Sequence, residues 1–183
     1  MLPMKKICVL FVLCLLLSTF SVAQEFPRVE AFGGYSYMRF QPAGTTGIDL
    51  NGWNGAMQYN ASRSIGFKGD ISGHYRTPSG SLNSYSFLFG PVISNRIEGS
   101  PGFAPFLHGL VGATRISTRS AGLNTSDTAF AMVFGGGVDV KVARRVSARL
   151  VQVDYLFTKH GTATHQDNVR VSAGVVFQLG GHK

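Results

Sequence analysis

The sequence predicts an all-β protein: an eight-stranded antiparallel up-and-down transmembrane β-barrel preceded by a cleaved signal peptide. Three observations predict it. Apolar residues recur with a period near two along almost the whole chain after residue 23. The alternating segments number eight, and the connections between them alternate between tight and long. The polar side of the alternation carries small residues, amides and opposed charges rather than the many Lys and Glu of a solvated sheet face.

The first element is the leader. Lys5 and Lys6 precede an unbroken apolar run over residues 7–17 (ICVLFVLCLLL), and residues 18–23 (STFSVA) place small Ser21 and Ala23 just before Gln24. Basic, apolar and small residues in that order are a secretory signal peptide, and eleven apolar residues are too few to span a bilayer as a helix. The expected division is 1–23 signal peptide and 24–183 barrel domain. Removing the leader from 183 residues leaves about 160 and lowers the net charge from +8 to about +6. Cys8 and Cys14 both go with it, and Cys14 lacks the small residues that precede a lipoprotein cysteine. A disulfide scaffold, a thiolate metal site and a cysteine nucleophile are thereby excluded from the mature chain. All 23 Gly remain, about twice the usual frequency.

The strands follow in order, at roughly 29–40, 51–61, 65–76, 83–95, 103–117, 127–142, 146–158 and 167–178. In the first, Phe32 and Met38 share a face with Glu30 and Ser36, so its apolar side is ambiguous. In the second, Trp53, Met57 and Tyr59 oppose Asn54, Gln58 and Asn60. In the third, Ile65, Phe67, Ile71 and Tyr75 alternate with Lys68, Asp70, Ser72, His74 and Arg76. The fourth sets Tyr85, Phe87 and Phe89 against Ser84, Ser86 and Gly90, while the fifth has apolar residues on both faces. The sixth and seventh carry Asp139 and Lys141, and Gln152 and Asp154, on the polar side. The eighth sets Val169, Val171, Ala173, Val175 and Phe177 against Asn168, Arg170, Ser172 and Gly174.

Residues 61–64 and 143–145 read as tight turns; 41–50, 77–82, 119–126 and 159–166 read as longer loops rich in Gly, Ser, Thr and Pro. Residues 96–102 form a turn-side connection of intermediate length. Tight turns on the periplasmic side and longer loops outside are the pattern of an outer-membrane barrel. About 160 residues over eight strands leaves about 20 for each strand with its connection, and none for a second domain. A β-sandwich is the alternative. Against it, the opposed charges of the polar side suit pairing across a narrow lumen. Trp53, Tyr75, Tyr85, Tyr155, Phe157 and Phe177 lie toward the ends of the apolar side, as membrane interfaces require. Gly135, Gly137 and Gly174 suit a tightly curved wall on the lumen side.

Residues 30–37 (EAFGGYSY), 135–140 (GGGVDV), 149–155 (RLVQVDY) and 168–177 (NVRVSAGVVF) resemble the opening and closing strands of the outer-membrane β-barrel proteins grouped with the OmpA transmembrane domain and OmpX. The resemblance spans the mature chain but rests on patterns rather than catalytic signatures. It implies insertion by the barrel-assembly machinery. Phe177 stands where that family often ends on an aromatic residue, here followed by QLGGHK. OmpA itself continues into a peptidoglycan-binding domain, for which this chain has no residues left.

Some eight-stranded outer-membrane barrels modify lipid A, so the chemistry-bearing residues matter. His160, Thr158 or Thr162, and Asp167 form the best nucleophile–base–acid set, with no framing motif. His74 with Ser79 or Ser81 has no acid in its loop. His160, His165 and His182 with Asp167 match no closed zinc spacing. His74 and Asp70 share a face, as an acid–base pair or as members of a lumen hydrogen-bond network. Gly135–Gly137 lacks the helix and Lys of a phosphate loop, and the triplets at Asn60 and Asn124 carry no default meaning in a bacterial envelope.

The expected reading is therefore a monomeric outer-membrane protein with a packed polar interior. Its role is structural or surface-interacting, in adhesion or envelope integrity. No catalytic residue, metal or cofactor is expected. A lipid A-modifying enzyme and a narrow pore are the alternatives. Partners are outer-membrane lipid and lipopolysaccharide, contacted through Arg76, Arg119 and Lys159 outside, with Arg144 and Arg145 snorkelling to inner-leaflet phosphates. The basic charge does not imply nucleic acid.

Overall fold

The computed structural model describes residues 26–40, 47–76, 81–95, 102–120, 123–160 and 164–179. Within them the chain forms β1 (Val29–Phe40), β2 (Ile48–Asn60), β3 (Ile65–Arg76), β4 (Ser81–Ser94), β5 (Phe103–Ser120), β6 (Leu123–Ala143), β7 (Val146–His160) and β8 (Thr164–Leu179). All pairs are antiparallel and follow chain order, and β8 returns to β1, so the barrel is closed. Closure satisfies every strand edge, the condition for a sheet surrounded by lipid. The signal-peptide expectation for 1–23 lies outside the described residues.

One end of the barrel carries the tight turns. Arg144 and Arg145 alone bridge the paired Ala143 and Val146. At 61–64 the Ile65 carbonyl accepts from the amides of Ala61 and Ser62, while the Ser62 hydroxyl accepts from Ile65 N at 3.0 Å. Gly102 enters β5 with φ of 61°, a left-handed conformation that favours glycine, and its carbonyl accepts from Lys141 N. The opposite end, here the loop end, departs from expectation. Residues 119, 120 and 123–126 are strand and not loop: β5 runs on to Ser120 and β6 starts at Leu123, with Arg119 opposite Asn124. Because about 9–11 residues cross a bilayer, the 21 residues of β6 extend well past it.

The faces sort as a membrane barrel requires. Phe67, Phe87, Phe89, Leu107, Phe134 and Phe177 point outward and are more than half exposed. Lys68, Asp70, His74, Asp154 and Arg170 point inward and are buried. A sandwich would bury the first set and expose the second. The two ambiguous strands resolve accordingly: Phe32 and Met38 face the lumen with Glu30 and Ser36, and Phe106 and Leu110 do so from β5.

The interior is not wholly polar, which corrects the sequence expectation. Met38, Phe40, Leu50, Leu88, Leu110, Ala131, Val133 and Leu156 form a buried apolar cluster, with Ile48, Leu82 and Ile116 packed against it. These residues alternate into the lumen, Leu88 level with Asp70, Met38 level with Arg170 and the others further toward the loop end. Wall glycines make room for the contents: a Cβ on Gly135 would overlap Asp154 Oδ1, and one on Gly137 would lie 2.9 Å from the Phe106 ring. On the outer face, the Trp53 indole and Tyr75 hydroxyl cover Gly73, the residue paired with Trp53.

Candidate functional site

Two polar assemblies stand out, one inside the barrel and one at its loop end. The inner one centres on Arg170 of β8. Its guanidinium donates to Asp154 Oδ2 at 2.6 and 2.8 Å, to Asp70 Oδ1 at 2.9 Å and to Ser72 Oγ at 2.9 Å. Asn54 Nδ2 donates to the same Asp70 oxygen at 3.0 Å, and Lys68 Nζ lies 3.6 Å from its partner oxygen. Asp154 also contacts His108 Nε2 at 2.9 Å and accepts from Gln152 Nε2 at 2.7 Å. Toward the turn end, Arg149 donates bidentately to Asp139 at 2.7 and 2.9 Å. Its guanidinium carbon lies 4.3 Å from the Phe32 ring centroid and 4.2 Å from that of Phe106. A planar cation between two rings and a carboxylate fork is a site for Arg and not for Lys.

Mutual charge pairing gives this network a structural chemistry: every ion faces an opposite ion or an amide. His74 and Asp70 do not form an acid–base pair. His74 Nε2 contacts Ser36 Oγ at 2.9 Å, and Ser36 contacts Ser172 Oγ at 2.9 Å, so His74 belongs to a hydroxyl chain across β3, β1 and β8. Lys141 is exposed at the turn end and takes no part in the lumen pairs expected of it.

Two members of the network are missed by sequence reasoning, Arg149 and His108. Strict alternation from Gln152 back along β7 would turn Arg149 outward. Instead Leu150 is skipped in the pairing, with Val138 opposite Val151 and Asp139 opposite Arg149. Leu150 and Val151 both face out at this β-bulge, and Arg149 stays inside. His108 sits in the strand whose apolar residues fall on both faces, which hides its orientation.

Most of the other sequence candidates fall outside the described side chains. Backbone register sets His160 opposite Thr164, His165 opposite Lys159 and Asp167 opposite Phe157. The side chains of His160, His165 and Asp167 lie outside the described residues, as do Thr162, His182 and Ser79 and the Ser81 side chain. Thr158 is buried in the lumen. No group of three His, Cys, Asp or Glu among the described residues is placed to hold a metal. Asn60 is buried, its amide donating to the Pro27 carbonyl at 2.7 Å.

The second assembly is a pocket of about 330 Å³ on the β4–β5–β6 extension, lined by Asn83, Arg115, Ser117, Arg119, Asn124 and Ser126, with Thr118 and Thr125. Register lines Asn83, Ser117 and Ser126 into one row across the three strands, and Arg119 and Asn124 into the next pair. Arg119 Nε donates to Asn124 Oδ1 at 2.7 Å and Arg115 Nη2 to Ser126 Oγ at 3.3 Å. Of the three outer basic residues expected to meet lipopolysaccharide, only Arg119 enters this pocket. Arg76 and Lys159 are exposed on β3 and β7.

This geometry has known counterparts. The crystal structure of Neisserial surface protein A superposes with a TM-score of 0.65 at 15% identity, covering 82% of this chain and 97% of that one. The fold is that of the small outer-membrane barrels. Ail, the attachment invasion locus protein of Yersinia pestis, matches at a TM-score of 0.58 and 19% identity over 83% of this chain and 99% of its own. The outer membrane protein OprG of Pseudomonas aeruginosa matches at 0.56 and 9% identity, over 86% and 98%. No protein-family model and no curated protein matches the sequence. The barrel class suggested by residues 30–37, 135–140, 149–155 and 168–177 thus agrees in fold with these structures.

Proposed function

We propose that this chain resides in an outer membrane as a small barrel with a structural or surface-interaction role and no catalytic activity of its own. The observation that carries the reading is the inverted distribution of side chains. Apolar residues cover the outside, and Lys68, Asp70, Asp154 and Arg170 are sealed inside. Ion pairs and the buried cluster that includes Leu50, Leu110 and Leu156 occupy the lumen, which favours a role for the loop end. The strand extension there offers polar, cationic surface. The likeness to a surface protein and to an attachment invasion locus protein supports the same reading.

The test is fractionation of cells expressing the chain. The expected result is protein in the outer-membrane fraction, with gel mobility that shifts on boiling, and lipid A of unchanged composition. Soluble periplasmic protein without a mobility shift overturns the placement. A new lipid A acylation pattern overturns the non-catalytic role. Discrete conductance steps in a planar bilayer overturn the sealed lumen.

A further inference from the structure

The pocket on β4–β6 opens sideways. Asn83 has the same strand parity as outward-facing Phe87 and Phe89; Arg115, Ser117 and Arg119 share that of Leu107 and Val111; Asn124 and Ser126 share that of Phe130 and Phe134. These six polar groups therefore sit on the face that, lower down, meets lipid, and Thr118 and Thr125 join them from the alternate positions. An aromatic marker fixes the height. Arg115 is register-paired with Tyr85, whose ring meets Tyr75 edge-on at 5.8 Å, and Tyr75 Oη accepts from Trp53 Nε1 at 3.2 Å. Trp and Tyr on the outer face of a barrel gather at head-group level. Arg115 is thus level with head groups, and Arg119 stands four residues, about 13 Å, further out along the strand.

The lining chemistry narrows the ligand. Two guanidiniums favour phosphate, which they grip with paired N–H donors. Two amides and four hydroxyls match sugar hydroxyls, and a volume of about 330 Å³ takes a sugar ring with its phosphate. No acidic residue among the described residues lines the pocket. The nearest in sequence, Asp127, alternates to the other face, opposite Ile116. Arg119 and Arg115 are held in place by Asn124 and Ser126, each through one N–H of the five a guanidinium presents.

We propose that this pocket binds the phosphorylated saccharide head group of a glycolipid in the surrounding outer leaflet, with Arg115 and Arg119 on phosphate and Asn83, Ser117 and Ser126 on the sugar. The proposal rests on the reading of the chain as a membrane barrel with its loop end outward. It adds a defined site to that reading and, of the three basic residues expected to meet lipopolysaccharide, places Arg119 in it.

The experiment uses the folded barrel in zwitterionic micelles and measures retention of three probes: bisphosphorylated lipid A, the same lipid stripped of phosphate, and inorganic phosphate. Bisphosphorylated lipid A is expected to bind at least about tenfold more tightly than the stripped lipid, and the double variant Arg115→Gln/Arg119→Gln to lose about tenfold. Arg144→Gln, at the turn end, is expected to bind as the parent does. Both variants are checked for unchanged heat-modifiable mobility, so a binding loss is not a folding loss. Equal binding of both lipids, or an undiminished double variant, overturns the site. Inorganic phosphate binding as tightly as the lipid overturns the glycolipid source. A barrel that shifts on boiling but fails these tests sinks the pocket alone; a chain that never forms a heat-modifiable barrel sinks the reading beneath it.

Discussion

Arg170 on β8 reaches across the lumen to Asp70 on β3, its Nη1 2.9 Å from Asp70 Oδ1, while the same guanidinium holds Asp154 of β7 at 2.6 Å. One cation thus ties β3 to β7 and β8, neither of which neighbours β3 in the barrel wall. All three side chains are fully buried.

Removing that cation leaves two carboxylates facing each other's charge in a sealed space. Arg170→Ala is expected to destabilise the barrel by about 3–5 kcal/mol. Urea titration of the protein in lipid vesicles, followed by heat-modifiable mobility, measures it. Restoring neutrality with Arg170→Ala/Asp70→Asn recovers part of the loss; a double variant no better than the single one argues against charge as the cause.

The bulge in β7 makes a prediction of opposite sense for two neighbouring deletions. Without Leu150 the ladder becomes regular: Arg149 keeps Asp139 and Gly174, and Val151 keeps Val138. Deletion of Leu150 is expected to leave a heat-modifiable barrel. Deletion of Val153 reverses the facing of Gln152 and Arg149 relative to Asp154, turning a guanidinium toward lipid at about 2–4 kcal/mol, and is expected to abolish assembly. Equal outcomes for the two deletions would show that Arg149 is not held by this register.

Glycine in the wall is tested by pairing two substitutions. A Cβ at Gly135 overlaps Asp154 Oδ1 and lies 2.6 Å from the Val153 carbonyl, whereas a Cβ at Gly33 meets nothing within 4 Å. Gly135→Ala is expected to displace Asp154 from Arg170 and His108 and lower the urea midpoint. Gly33→Ala leaves the midpoint unchanged within error.

Strand number, order and the facing of β3 and β8 were legible because alternation there is unbroken: Lys68, Asp70 and Arg170 fall opposite Phe67, Ile71 and Val171 without ambiguity. The lumen's apolar cap was not, because Leu50, Leu88 and Leu110 are as apolar as the lipid-facing side chains and give alternation no contrast. Arg149 was hidden by a one-residue bulge that alternation cannot foresee. The loop-end pocket was hidden by composition. Residues 119–126 (RSAGLNTS) read as a loop, yet 119, 120 and 123–126, paired across β5 and β6, carry two of the pocket's three strands beyond the membrane. That Arg115 and Arg119 share a face with Asn83 becomes visible only from cross-strand register.

The central claim is that odd-numbered positions of β4 meet lipid and even-numbered ones fill the lumen. With Cys8 and Cys14 replaced by Ser, single cysteines at 84 through 89 can each carry a fluorophore in vesicles containing a lipid-dissolved quencher. Quenching is predicted to alternate, strong at Tyr85, Phe87 and Phe89 and weak at Ser84, Ser86 and Leu88. Uniformly weak quenching, or strong quenching at the even positions, would contradict it.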